Sequence, residues 1–280
     1  MISRRQWGQI WLFSFVRAPA VCGANPVIRG ALERLYNFDF AGANRALEDH
    51  IARQPADPLG YCFRAASLLF QELDRLRILE GEFFADDKRV IDKSRLPADP
   101  RLRNDFFAWI TMARDRARQR LDHDPQELDA LFTMCITAGL VTDYVGLIER
   151  RQLRSLEHAK ESHQYAVRLL RLDPTFTDAY MTTGLTEYLL GSVPFFVRWF
   201  LRFPDAQGDK SLAERNLLKV VDSGRYLGPF AKILLCIIYL REKRPKDCQR
   251  LLSELARDYP ENALLRKELA KVTALLADRQ

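Results

Sequence analysis

Glycine and proline are scarce in this chain, 13 of each in 280 residues. A sandwich or barrel of short strands needs a turn signal every ~8–12 residues. So few breakers exclude that pattern and point to long elements, which in a soluble chain are helices. Histidine is scarcer still: His50, His123, His158 and His163. His158 and His163 are five apart and do not share a helix face as a metal pair at i and i+4 would. His50 and His123 fall near expected helix ends, where a cation suits the dipole. There is no phosphate-cradling glycine loop, no G-x-S-x-G elbow and no HExxH. The five cysteines (Cys22, Cys62, Cys135, Cys236 and Cys248) contain no CxxC pair, which removes the usual zinc and redox motifs. The last four lie in apolar helical surroundings, where Cys packs as a small hydrophobe, and no disulfide framework is expected. Acidic residues such as Asp86–Asp87, Asp122 and Asp124 fall at turns and caps, where Asp serves local hydrogen bonds. Catalytic, metal and cofactor sites are therefore all expected to be absent.

Charge of one sign is also lacking. The balance of 43 basic and 37 acidic residues leaves only +6. The basic residues are dispersed: Arg114, Arg116, Arg118 and Arg120 on one helix, Arg150, Arg151 and Arg154 on another, and Lys243, Arg244 and Lys246 in a turn. Nucleic-acid binders concentrate such charge on one face, so no nucleic-acid partner is expected. What the chain does have is 48% hydrophobic residues, enough for a sizeable core.

Residues 1–25 stand apart. A basic start (Arg4, Arg5), a short apolar stretch from Trp7 to Val16 and Ala18-Pro19-Ala20 follow the layout of a secretory signal peptide. Gly8, Gln9 and Arg17 depart from it, which leaves a disordered or interfacial leader as the other reading. The expected location is exported, periplasmic or membrane-associated, with the cytoplasm as the alternative. No later segment reads as long and apolar enough to span a membrane.

From residue 26 to 280 one phrase recurs: an amphipathic helix, an x-Pro pair, then a second apolar helix about six residues on. It occurs at Gln54-Pro55 before Tyr61, Asp124-Pro125 before Leu131, Asp173-Pro174 before Tyr180, and Tyr259-Pro260 before the last helix. Proline belongs there because it cannot continue a helix yet fits the turn into the next. The cleanest unit, 229–262, is 34 residues long. Its first helix carries Leu235, Cys236 and Tyr239, and its second carries Cys248, Leu252 and Leu255. Earlier second helices are marked by Ala43 and Leu47, Ala113 and Ala117, Ser162 and Ala166, and Ala213, Leu217 and Val220. First helices are expected near 27–37, 59–80, 128–148, 177–190 and 230–242. Three units are stretched, and the added segments Leu76–Leu79, Tyr144–Ile148 and 193–204 are expected to add packed helix.

This alternation of small and large residues resembles the tetratricopeptide repeat, in which small positions let paired helices approach closely. The span from about 27 to 270 also resembles a group of bacterial, often exported tetratricopeptide-repeat proteins. That resemblance is carried by Tyr36-Asn-Phe-Asp-Phe40, Asp173-Pro174 with Asp178-Ala179, Gly208-Asp209, Gly224-Arg-Tyr226 and Tyr259-Pro-Glu-Asn262. It implies an all-α right-handed superhelix of about five hairpins, some elongated, with Ala263–Ala277 as capping helix. With no catalytic motif in the chain, the expected role is a non-enzymatic scaffold or adaptor that binds protein, of unstated oligomeric state, with a peripheral membrane-associated structural protein held by segment 193–204 as the alternative.

First helices line the concave side of such stacks. The groove residues expected on that basis are Phe132, Ile136, Met181, Leu185, Tyr188, Phe230, Ile233 and Ile237. They are apolar, so the groove either takes an apolar partner segment or is filled by the chain's own inserts, because large exposed apolar grooves are rare. Segment 193–204 is the other candidate. On a helix, Phe196, Trp199, Phe200 and Phe203 form a stripe, with Arg198 and Arg202 on a second face. Such a helix suits a membrane surface or a partner, or serves as a plug packed on the groove.

Overall fold

The computed structural model describes residues 23–80, 96–194, 201, 203 and 205–277, and their regular structure is entirely helical. The α-helices are α1 (Pro26–Tyr36), α2 (Phe40–Arg53), α3 (Pro58–Arg75), α4 (Pro100–His123), α5 (Leu128–Asp143), α6 (Gln152–Leu172), α7 (Tyr180–Ser192), α8 (Lys210–Ser223), α9 (Gly228–Arg241), α10 (Pro245–Asp258) and α11 (Ala263–Ala277). A π-helical turn, Tyr144–Ile148, continues α5, and a 3-10 turn, Thr177–Ala179, leads into α7. Helix starts follow side-chain chemistry: Asn25, Asp57, Asp99 and Asp209 accept from the first free amides of α1, α3, α4 and α8. Proline fills the first turn of α1, α3 and α4, where its missing N–H costs nothing.

Helix stops are less conventional. Phe38, Arg77 and Lys243 adopt φ of 64°, 55° and 59°, the left-handed conformation usually given to glycine after a helix. Each is followed by an amide that reaches back five residues: Asp39 N to Arg34 O (3.0 Å), Ile78 N to Leu73 O (2.8 Å) and Arg244 N to Tyr239 O (2.7 Å). Because of the stop at Arg77, α3 ends at Arg75 and does not run on to residue 80. Leu76 and Ile78 are buried, but as a turn and not as added helix.

Consecutive helices pack in pairs, α1 with α2, α3 with α4, α5 with α6, α7 with α8 and α9 with α10, and α11 covers α10. Small residues set the approach of paired helices. A Cβ on Gly184 of α7 would lie 3.1 Å from the Ala213 carbonyl oxygen and 3.1 Å from Leu217 Cγ of α8. Gly139 of α5 faces Ser162 Oγ of α6 at 3.5 Å. The x-Pro turns are held from the next pair by cations. Arg116 of α4 donates to the Pro55 carbonyl (3.2 Å) and lies over the Tyr61 ring. Arg168 of α6 donates to the Pro125 carbonyl. Lys219 of α8 lies 4.1 Å from the Tyr180 ring centroid, the same relation that Arg116 has to Tyr61.

The stack curls until its first and last hairpins meet. Asn262 Nδ2 donates to Tyr36 O (2.7 Å), Glu261 N to Asn37 Oδ1 (3.2 Å), and the Tyr36 and Tyr259 rings lie 5.3 Å apart. Phe70 of α3 meets Phe230 of α9 edge-on at 5.5 Å. One hydrophobic core therefore runs from Ile28 to Val272. One expectation is corrected at α5. Leu128–Ile148 is long and apolar enough to cross a membrane, with mean hydropathy 1.7, but 67% of that stretch is buried in the protein. Its apolarity is that of a core helix packed against α3, α4 and α6.

Candidate functional site

The expected groove residues divide by depth. Phe132 is fully buried, 5.0 Å from the Phe176 ring and stacked on Tyr226 at 6.1 Å. Met181 and Tyr188 are buried as well, the Tyr188 hydroxyl donating to Glu242 Oε1 at 3.2 Å. Ile136, Leu185, Phe230, Ile233 and Ile237 are half-buried. Beside Leu185, Leu189 is 55% exposed. Over Phe132, Met181 and Tyr188 the expected groove is thus closed, and a partly uncovered apolar row remains on α7 and α9. Of the aromatic segment, Phe196, Arg198, Trp199, Phe200 and Arg202 lie outside the described residues. Phe203 is described: it packs edge-on against His163 of α6 at 5.7 Å, with Lys160 Nζ 6.0 Å from its ring.

At the centre of the closed face stands Asp178, with no exposed surface. Its carboxylate accepts from the backbone of Arg225 (2.7 Å), Tyr226 (3.1 Å) and Leu227 (2.8 Å). These three amides precede α9, which has no side-chain cap of its own, so Asp178 fixes the entry into α9 from α7's lead-in turn. Burial pushes this carboxyl above its ordinary range, against the pull of the three amides and Arg225. The segment it fixes delivers Tyr226 to Phe63 (5.5 Å) and Phe132, with the Tyr226 hydroxyl accepting from Asn25 N at 2.9 Å.

Two further buried acids share one task. Glu72 on α3 accepts from Asp99 N (2.8 Å) and is bound by Arg75 at 2.7 and 2.8 Å. Glu187 on α7 accepts from Asp209 N (2.8 Å) and Gln207 N (3.1 Å). Asp99 and Asp209 are the caps of α4 and α8. In two stretched hairpins, a glutamate on the first helix therefore fastens the backbone where the inserted segment returns. Sequence patterning alone does not mark these two residues as a pair, although each is an acid within an apolar helix, followed 27 or 22 residues later by Asp-x-x-Leu.

A cleft of about 810 Å³ opens beside Tyr226, lined by Asn25, Asp57, Leu59, Arg120 and Asp129 among others. Its charges are mostly spent on one another. His50 Nε2 lies 2.7 Å from Asp57 Oδ2, and Arg120 lies 2.9 Å from Glu127 and 3.9 Å from Asp57. Burial raises the Asp129 carboxyl, with Arg225 and Arg120 pulling it back. Among the described residues that line it there is no serine, threonine or cysteine. Among the described residues no group of three His, Cys, Asp or Glu side chains could hold a metal ion.

Asp143, at the end of α5, is different in kind. Burial pushes its carboxyl from 3.8 up to about 7. The folded state therefore keeps a proton that the unfolded chain releases above about pH 4, so this residue's contribution to stability is greatest in acid. It falls as pH rises through 7 and is constant beyond. An Asp143→Asn variant, neutral throughout, is expected to gain on the parent between pH 4 and 7. The gap levels near ~2 kcal/mol once partial solvent access is discounted. Urea midpoints across that range measure it, and parallel stability curves for the two proteins would refute it.

Consecutive antiparallel hairpins, small residues at their crossings, x-Pro turns between them and a terminal cap decide the architecture. It is an all-α stack of antiparallel helical hairpins. No family model matches the chain, and no curated protein matches it. Among solved structures it is similar to the crystal structure of a thermophilic TPR protein from Thermus thermophilus, at 12% identity and a TM-score of 0.49. That similarity covers 89% of this chain and 97% of the other.

Proposed function

We propose that the chain is a non-enzymatic protein-interaction module whose contact surface is the rim of its closed concave face. The observation that carries this reading is the apolar row left partly uncovered on neighbouring first helices: Leu185 and Leu189 on α7, Ile233 and Ile237 on α9. Helical-repeat stacks bind partners on the surface built by these helices. A half-covered apolar row takes an apolar helix or an extended segment by burying it. The fully buried Phe132 is closed to such a partner, which moves the contact from the groove floor to its edge.

A photo-crosslinking residue at Leu189 tests this, with Leu153, 85% exposed on α6, as the control position. The expected result is one captured protein at Leu189, lost when Ile237→Glu is added to the same chain and absent at Leu153. The same capture pattern at both positions, or none at Leu189, overturns the assignment of this surface.

A further inference from the structure

We infer that Cys236 and Cys248 are a built redox pair, two thiols that join as a disulfide when the chain folds in contact with an oxidised disulfide donor. Cys236 lies on α9 and Cys248 on α10, at the small positions where this hairpin's helices approach closest. Cys236 Sγ is 3.8 Å from Cys248 O, which sets its thiol directly against the second cysteine. Cys248 has no exposed surface and Cys236 has 5%. The other close thiols are arranged differently: Cys135 Sγ contacts Thr182 Oγ1 (3.4 Å) and Ser162 Oγ (3.7 Å), so its sulfur is engaged by hydroxyls.

The chemistry closes with a low-molecular-weight disulfide as oxidant. The thiolate of one cysteine attacks the donor's S–S bond, forms a mixed disulfide and releases one donor thiol. The second cysteine then attacks the protein sulfur of that mixed disulfide and releases the other. Two protein thiols lose two protons and two electrons, and one donor disulfide becomes two thiols. The attacking species is a thiolate, and the hydrogen bond that the Cys236 thiol donates toward Cys248, together with burial, holds Cys236 well above the ordinary thiol range. Reaction therefore belongs to the chain before α10 docks. The residues are only 12 apart, so loop closure is easy at that stage. Once formed, the bond is shielded from reductants by the same burial. It clamps the hairpin leading into Tyr259–Asn262, the segment that meets α1.

The test is refolding of the full chain from urea in a glutathione redox buffer, followed by alkylation and peptide mapping. The expected product is a peptide linking 236 to 248 and 2 Da lighter than its reduced parts, with a Tm about 5 °C above that of protein refolded in dithiothreitol. Oxidised glutathione added to already folded, reduced protein is expected to react about 100-fold more slowly. Cys236→Ala and Cys248→Ala, both small enough for the crossing, should each remove the linked peptide. Alkylation of both cysteines in every refolded molecule overturns the inference, as does equal linkage to Cys62, Cys135 or Cys22.

Discussion

Replacing Asp178 with alanine is expected to cost about 3–5 kcal/mol, because three buried amides lose their acceptor together. Arg225 N, Tyr226 N and Leu227 N have that carboxylate as their hydrogen-bond partner, and no side chain caps α9 itself. The loss extends beyond these three bonds. Once 225–227 is free, Tyr226 no longer holds its place against Phe63, Phe132 and Asn25, and the closed face opens at its centre. The first amides to lose hydrogen-exchange protection should be those of Arg225, Tyr226 and Leu227, followed by the start of α9. Asp178→Asn separates the hydrogen bonds from the charge. An amide oxygen placed as Oδ1 retains the bonds to Tyr226 and Leu227 and loses only the one to Arg225, so about 1–2 kcal/mol is expected. Urea unfolding gives both numbers. An alanine variant within about 1 kcal/mol of the parent, with protected amides at 225–227, would show that Asp178 is not the keystone.

The repeat was legible because its punctuation is local. Pro55, Pro125, Pro174 and Pro260 stand where a helix must end, and Ala113, Ser162, Ala213 and Cys248 stand where paired helices touch, so five hairpins and a cap could be read directly. The stops at Phe38, Arg77 and Lys243 were hidden because none of them is a glycine. A left-handed residue costs ~1–2 kcal/mol in a non-glycine side chain, and here the returning amides and the burial of Ile78 outweigh it. The closure of the stack was hidden for another reason: its partners are up to 226 residues apart. The motifs that carried the family resemblance were nevertheless its parts. Asp178 binds the segment after Gly224, and Asn262 binds Tyr36, so two pairs of sequence motifs prove to be two contacts. The candidate site was legible only as a row of helix positions. Which members of the row are sealed depends on Tyr226 and Phe176, which arrive from turns.

The buried glutamates make the second large prediction. Glu187 is 3% exposed and holds the amides of Gln207 and Asp209 (3.1 and 2.8 Å). Glu187→Ala removes the carboxylate that both amides bind and leaves a cavity beneath them, an expected loss of about 3 kcal/mol. Because the latch acts on the returning segment, exchange at 207 and 209 should rise by orders of magnitude more than exchange in α5 or α10. Glu72→Ala should do the same at Asp99, with an added penalty for Arg75, which loses both its bonds to that carboxylate. The two latches share no partner and belong to different hairpins, so their losses should add to within about 0.5 kcal/mol in the double variant. A double variant losing much less than the sum would mean that the two inserts are fastened to each other. A Glu187→Ala variant that melts early but keeps 207 and 209 protected would mean that Glu187 fills space and fastens nothing. Glu187→Leu distinguishes these cases directly. It restores most of the volume but no acceptor, whereas Glu187 Oε2 accepts from both amides, so a packing role predicts rescue relative to alanine and a latch predicts none at 207 and 209.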